Sequence, residues 1–145
     1  MKYNQAFFGL YQNLFLVLKR ESGERKALDL FAKIVQKGLK TAYDQEKFRK
    51  GNPLDFCRVV KARDQSVGLK VSVLATKNRI VYRFFTDPFP LLKEKVSAQK
   101  LGATYMQFKV RYLLGTQWDY RTTKHLWRRQ SCTEFVIQKI MGRRA

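Results

Sequence analysis

The chain has 145 residues, 45% of them hydrophobic, which is enough for one folded domain with a sizeable core. Its formal net charge is +19, from 30 basic and 11 acidic side chains. Residues 1–52 hold 11 basic and 5 acidic residues, residues 53–106 hold 10 and 4, and residues 107–145 hold 9 and 2. This even spread excludes a polybasic arm or anchor. It leaves open a basic face, assembled by the fold, for nucleic acid or anionic lipid.

Cysteine and histidine usage limits the kinds of site that the chain can form. Cys57 and Cys132 lack a paired spacing, so a reduced, cytoplasmic protein without a disulfide framework is expected. The single histidine, His125, leaves too few ligands for structural zinc, and no metal or other cofactor is expected. A nucleotide-dependent enzyme is disfavoured because the sequence has no glycine-rich phosphate loop.

The first predicted element is a helix with a wide apolar face. Leu10, Leu16 and Val17 widen that face, which predicts burial on more than one side. Gln12 and Asn13 interrupt the apolar run, so neither a signal peptide nor a transmembrane segment is predicted. The main apolar residues at helical spacing are Phe7, Phe8, Tyr11, Leu14, Phe15 and Leu18.

Two more helices are predicted before residue 68. One begins at Ser22 and continues to about Tyr43, which gives an antiparallel helical hairpin with the first helix. We expect the protein to form a homodimer through these N-terminal helices. The next helix begins with Asn52 as cap and Pro53 in the first turn, runs to about residue 63, and carries Cys57 as a packing thiol.

From residue 69 onward the apolar period changes from nearly four to two. Strands are predicted over 69–75 and 79–85, and prolines at 88 and 90 end the second. A short helix over 91–96, a stronger helix over 101–114 and strands over 118–127 and 133–140 follow. The sequence therefore predicts a single α+β domain over residues 1–145. In it, an N-terminal helical hairpin and covering helices pack on a mostly antiparallel four-stranded sheet.

Three segments carry a resemblance to a known family. They read Gly-Asn-Pro-Leu-Asp-Phe at 51–56, Phe-Phe-Thr-Asp-Pro-Phe at 84–89, and Thr-Thr-Lys-His-Leu-Trp at 122–127 leading into Ser-Cys-Thr-Glu-Phe at 131–135. In these segments and in its layout the chain resembles the L-2-amino-thiazoline-4-carboxylic acid hydrolase-like family. That family is related to vinyl-reductase-type ligand-binding domains and to Bet3-like subunits of vesicle-tethering complexes.

The resemblance implies a domain of Bet3 or vinyl-reductase type that binds a small anionic or apolar ligand. Hydrolysis of a cyclic amidine or thiazoline carboxylate is also implied. The family has Cys-Pro where this chain has Asp87-Pro88, and Gly-Asp-x-Cys-x-Phe where this chain has Arg129-Gln130-Ser131-Cys132. Because the thiol beside the proline is missing here, the resemblance supports the fold more than the activity.

The residues themselves predict a candidate site on the late strands. Cys132 would be the nucleophile and His125 its proton acceptor, because a thiolate is stabilised beside an imidazolium, and Asp87 would orient the imidazole. The alternatives are that Cys132 is a small buried apolar residue and that His125 is structural. The residues predicted to contact a ligand are Arg121, Arg128, Trp127 and Tyr105.

Two other functions remain open from the sequence. A basic face that carries aromatic residues would bind nucleic acid by alternating phosphate contact and base stacking. A non-catalytic scaffold that dimerises through the N-terminal helices is the other alternative. The residues predicted for the nucleic-acid face are Arg83, Phe85, Arg121, Trp127, Arg128 and Arg129.

Overall fold

Capping residues set where the helices begin. Asn4, Asn52 and Ser97 each accept a hydrogen bond from the backbone N–H three residues later, which satisfies a donor in the first helical turn. Gly23, at φ 84°, separates the first two helices. The computed structural model describes residues 2–141. Its elements are α1 (Gln5–Ser22), α2 (Glu24–Glu46), α3 (Pro53–Ser66), β1 (Val71–Ala75), β2 (Arg79–Phe84), α4 (Ala98–Leu113), β3 (Trp118–Lys124) and β4 (Thr133–Lys139), with 3₁₀ turns at Pro90–Leu92 and Leu126–Arg128.

The four strands form one antiparallel sheet in the order β1-β2-β4-β3. Side chains alternate between its two faces, and the helical layer covers the face that carries Ile80, Tyr82 and Phe84. Leu74, Val81, Val136 and Arg121 form one row across the opposite, outer face. The predicted α+β fold with an antiparallel four-stranded sheet is confirmed. Met1 and residues 142–145 of the predicted domain lie outside the described residues.

Several element bounds differ from the predicted ones for local reasons. α2 begins at Glu24, because Gly23 lies between the helices, and α4 begins at Ala98, because Ser97 caps it. The helix predicted over 91–96 is a single 3₁₀ turn, Pro90–Leu92. β3 ends at Lys124, where its register with β4 shifts.

Only one stripe of α1 is buried, so the prediction that this helix is buried on more than one side is wrong. Phe8, Gln12 and Phe15 face the core, whereas Leu10 is 71% and Val17 45% exposed. α1 packs against α2 and the 3₁₀ turn Pro90–Leu92, at the outside of the helical layer. Within residues 2–141, no helix has both the length and the apolar character needed to cross a bilayer.

Candidate ligand site

A cavity of about 60 Å³ lies between the helical layer and the end of β2. Its walls come from α1, α2, α3, α4 and the turn after β2, and most of its lining is aromatic or aliphatic. Three basic or acidic side chains also line it, namely those of Arg63, Asp64 and Lys109. Because a water molecule occupies about 30 Å³ in the liquid, the cavity has room for one small organic group.

Asp64 of α3, Tyr82 of β2 and Lys109 of α4 form a buried polar cluster at this cavity. Asp64 and Lys109 are each 3% exposed, and Tyr82 is fully buried. The Tyr82 hydroxyl donates a hydrogen bond to Asp64 Oδ2. Lys109 Nζ donates to the Tyr82 hydroxyl at 2.9 Å and lies 3.8 Å from Asp64 Oδ1. Tyr82 therefore links the carboxyl to the amine.

Burial shifts the pKa of each member of the cluster toward its neutral form. Loss of solvation raises the pKa of Asp64, and the charge of Lys109 opposes this rise. Loss of solvation likewise lowers the pKa of Lys109, against the effect of Asp64. It also raises the pKa of Tyr82 well above its usual value.

Aromatic rings surround the Lys109 amine. Its Nζ lies 5.1 Å from the ring centroid of Tyr82, 5.3 Å from that of Phe84 and 5.3 Å from that of Tyr105. Attraction between the ammonium and the ring faces replaces part of the lost hydration, by about 0.5–2 kcal/mol for each contact. The amine is therefore held in place beside the cavity rather than extended into solvent.

Two polar atoms near the cluster have no hydrogen-bond partner within residues 2–141. They are the hydroxyl of Tyr43, which is fully buried, and the Nε of Arg63. Loss of solvation raises the pKa of Tyr43, with the charge of Asp64 as the next cause. A buried polar group without a partner costs about 1–3 kcal/mol, so a polar guest beside Arg63 would be stabilised by pairing with it.

Contacts from the N-terminal segment hold α1 over the cavity. Gln12 accepts a hydrogen bond from the Leu91 N–H at 2.7 Å, and the Tyr3 hydroxyl donates to the Pro88 carbonyl at 2.8 Å. The segment before α1 also packs closely on Gly68, where an added Cβ would overlap the backbone of Lys2. These contacts fix one wall of the cavity.

Four of the residues predicted from the sequence surround a second, smaller cavity of about 10 Å³. Asp87, Tyr105, His125 and Trp127 line it. Tyr105 also lines the larger cavity, as do Phe84, Pro88 and Phe89, so these four residues form a common wall. The structure therefore places much of the predicted site behind the wall of the larger cavity.

Hydrogen bonds in this second cavity tie loops together. Asp87 Oδ2 accepts from Trp127 Nε1 at 2.6 Å, and Oδ1 accepts from the Phe89 N–H at 2.9 Å. His125 Nδ1 accepts from the Trp127 N–H at 3.0 Å. Burial lowers the pKa of His125, and the nearby Asp87 charge opposes this. These contacts suit structural roles for Asp87 and His125.

The other predicted site residues lie away from both cavities. Arg121 is exposed on the outer face of the sheet, opposite Val136, and Arg128 is exposed in the 3₁₀ turn Leu126–Arg128. Cys132 is 3% exposed and lines neither cavity. Half-burial raises the pKa of the other thiol, Cys57, to about 11, which keeps it protonated. Among the described residues, no group of histidine, cysteine and carboxylate side chains is placed to hold a metal ion.

The sequence did not predict a site at Asp64, Tyr82 and Lys109. A usable signal was present, because Asp64 lies between Val60 and Val67 at helical spacing and Lys109 follows Tyr105 by one turn. A charged residue on the apolar stripe of a helix is rarely buried unless it is paired. Comparisons of the chain with protein-family models, curated proteins and solved structures found no match. The site geometry therefore carries the functional argument.

Proposed function

We propose that this protein binds a small, mostly apolar molecule that carries one polar group. The apolar part occupies the cavity, and the polar group reaches Asp64, Lys109 and the unpaired Nε of Arg63. The proposal rests on one observation: a buried acid, Asp64, and a buried amine, Lys109, line the same apolar cavity. The family resemblance agrees with a ligand-binding domain, and the site chemistry accepts either an anionic or a neutral polar group.

Titration with propionamide, followed by NMR of backbone amides, tests this proposal. We expect shift changes in α3 and α4 near Asp64 and Lys109. Affinities weaker than micromolar are expected, because a small ligand gains at most about 1.5 kcal/mol per non-hydrogen atom. Val35→Phe places a ring in the cavity and should abolish the changes. Ile34→Phe, an exposed neighbour on the same helix, is the matched control and should keep them. Equal binding by both variants would contradict the proposed site.

Hydrolysis of a cyclic amidine or thiazoline carboxylate, which the family resemblance implies, is a second proposal. It is favoured by the meeting of Asp87 and His125 at one small cavity and disfavoured by the position of Cys132 outside it. The test is turnover of 2-amino-thiazoline-4-carboxylate by the purified protein and by Cys132→Ala. If the native protein turns over this compound and Cys132→Ala does not, the result supports the thiol mechanism. If neither protein turns it over, the result contradicts the proposed hydrolysis.

Nucleic-acid binding is a third proposal, favoured by the outer face of the sheet. Arg83 and Arg121 project from that face; Arg121 is exposed, whereas Arg83 pairs with Glu134 at 2.6 Å. Phe85, just beyond β2, is 45% exposed. Trp127 contributes less than predicted, because its indole N–H is bonded to Asp87. Binding of random single-stranded oligonucleotides should weaken steeply with salt and lose part of its salt dependence in Arg121→Ser. Affinity unchanged by salt would contradict this proposal.

We also propose self-association through the outer stripe of α1. Leu10 and Val17 lie two helical turns apart on that stripe and are exposed. Two copies that pack these stripes together would bury both residues, which is the arrangement expected for a homodimer through the N-terminal helices. Sedimentation should show a dimer for the native chain and a monomer for Leu10→Glu. A native monomer at every concentration would contradict the proposal.

A further inference from the structure

Lys109 is placed as a reactive amine. It is 3% exposed and lines the cavity, whereas Lys100, on the same helix, has a side chain that is 63% exposed. Asp64 lies beside it to accept a proton, at 3.8 Å, and the Tyr82 hydroxyl bridges the two groups. An amine in an apolar site next to a proton acceptor is the arrangement that activates lysine as a nucleophile.

We propose that the Lys109 amine forms a reversible Schiff base with a small aldehyde or ketone that enters the cavity. This inference rests on the proposed ligand-binding function and names its ligand class as short-chain carbonyl compounds. The cavity volume of about 60 Å³ suits a short chain, and its apolar lining suits the hydrocarbon part. The carbonyl oxygen would lie near the polar cluster, within the part of the cavity that Arg63 also lines.

The reaction balances without any further reactant. The Lys109 ammonium transfers one proton to the Asp64 carboxylate, and the neutral amine adds to the carbonyl carbon to form a C–N bond. One proton then moves from nitrogen to the former carbonyl oxygen, which gives a carbinolamine. Asp64 returns its proton to that hydroxyl, the C–O bond breaks, and water leaves. The products are a protonated imine on Lys109 and one water molecule.

The surroundings of Lys109 favour the neutral amine that must attack. Loss of solvation is the largest cause of its lowered pKa, the charge of Arg63 lowers it further, and Asp64 opposes both effects. The hydroxyl of Tyr82 and the ring of Tyr105 also lie beside the amine. Each unit by which the pKa falls gives about tenfold more neutral amine at neutral pH.

Reductive trapping with propanal tests the inference. The purified protein is incubated with propanal at pH 7, reduced with sodium borohydride and digested, and propylated lysines are quantified by peptide mass spectrometry. We expect Lys109 to be labelled in clear excess over Lys100, the exposed lysine on the same helix. Excess propionamide, which occupies the cavity but forms no imine, should protect Lys109 and leave Lys100 unchanged.

The possible results separate the inference from the proposed function. Propionamide binding without preferential labelling of Lys109 would overturn the Schiff base and leave ligand binding intact. The absence of both propionamide binding and preferential Lys109 labelling would overturn the Schiff base and the proposed ligand binding together. Asp64→Asn, verified as folded by circular dichroism, should reduce the Lys109 labelling rate by about a hundredfold, because proton transfer is removed. An unchanged rate would overturn the role of Asp64. If this variant does not fold, protection by propionamide in the native chain remains the deciding measurement.

Discussion

Replacement of Lys109 by methionine tests the buried cluster most directly. The substitution keeps a long apolar side chain but leaves Asp64, which is 3% exposed, without its positive partner. Breaking a buried pair in this way costs about 3–5 kcal/mol. Because small domains have about 5–15 kcal/mol of stability, the variant should fold but unfold at much lower urea concentration. The measurement is urea unfolding at pH 7, followed by tryptophan fluorescence.

The double variant Asp64→Asn/Lys109→Met is the control for this prediction. Asparagine still accepts the hydrogen bond from the Tyr82 hydroxyl, and no charge remains buried. The double variant should therefore recover most of the lost stability, as neutral replacements of buried pairs often do. A loss below about 1 kcal/mol for Lys109→Met would refute the reasoning. A double variant as unstable as the single one would refute it equally.

The stability of Lys109→Met should also depend on pH in a characteristic way. Burial raises the pKa of Asp64, and the charge of Lys109 is the first factor that opposes the rise. Without Lys109 the pKa rises further, so the folded state binds the proton more tightly than the unfolded state. The contribution of Asp64 to stability is then fully present below the usual Asp pKa of 3.8 and is lost as pH increases through the folded pKa. The stability difference between Lys109→Met and Asp64→Asn/Lys109→Met should therefore be small at low pH and large at neutral pH, as urea unfolding at both pH values would show.

Two further predictions concern parts of the chain outside the cluster. Gly68→Ala should destabilise the protein by more than about 1 kcal/mol in urea unfolding, because Gly68 has φ +82° and a Cβ would overlap the Lys2 backbone. Gly9→Ala, in α1 with open space around it, is the matched control and should be neutral or stabilising. Hydrogen bonds from Arg49 hold the pKa of Asp55 at about 2, below its usual 3.8. The stabilisation that Asp55 contributes should therefore be present above pH 3.8 and lost as the pH falls toward about 2. Asp55→Asn should lose less stability than the native protein when the solution is acidified.

The sequence was sufficient to predict the order of elements, because that order follows from local patterns. The apolar period changes after Gly68, Asn52 and Pro53 begin a helix, and prolines 88 and 90 end a strand; each signal acts within a few residues. The extent of burial of α1 could not be predicted, since its apolar residues are equally compatible with a covered and an open outer face. Leu10 is exposed because the described part of the chain places nothing over it.

The polar cluster depends on contacts between distant segments. Asp64 and Lys109 are isolated charges on two different helices, and each alone could have extended its charged end into solvent. Only the packing of α3 and α4 against β2 brings both to Tyr82 and encloses them. By contrast, the site predicted on the late strands rested on residue types alone. His125 accepts a local hydrogen bond from the Trp127 N–H, and the Trp127 indole donates to Asp87, so both positions are explained without chemistry.

The common wall between the two cavities links the predicted catalytic residue Asp87 to the shape of the larger cavity. Asp87 uses both carboxyl oxygens to fix the Phe89 N–H and the Trp127 indole, and Phe89 lines both cavities. Loss of Asp87 would therefore disturb the larger cavity even if no carboxylate takes part in chemistry. Trp127→Phe removes the indole hydrogen bond, keeps an aromatic ring and leaves the Asp87 carboxylate in place. If Trp127→Phe and the replacement of Asp87 reduce function equally, displacement of the wall explains the loss. If only the replacement of Asp87 reduces function, the charge of Asp87 has a chemical role.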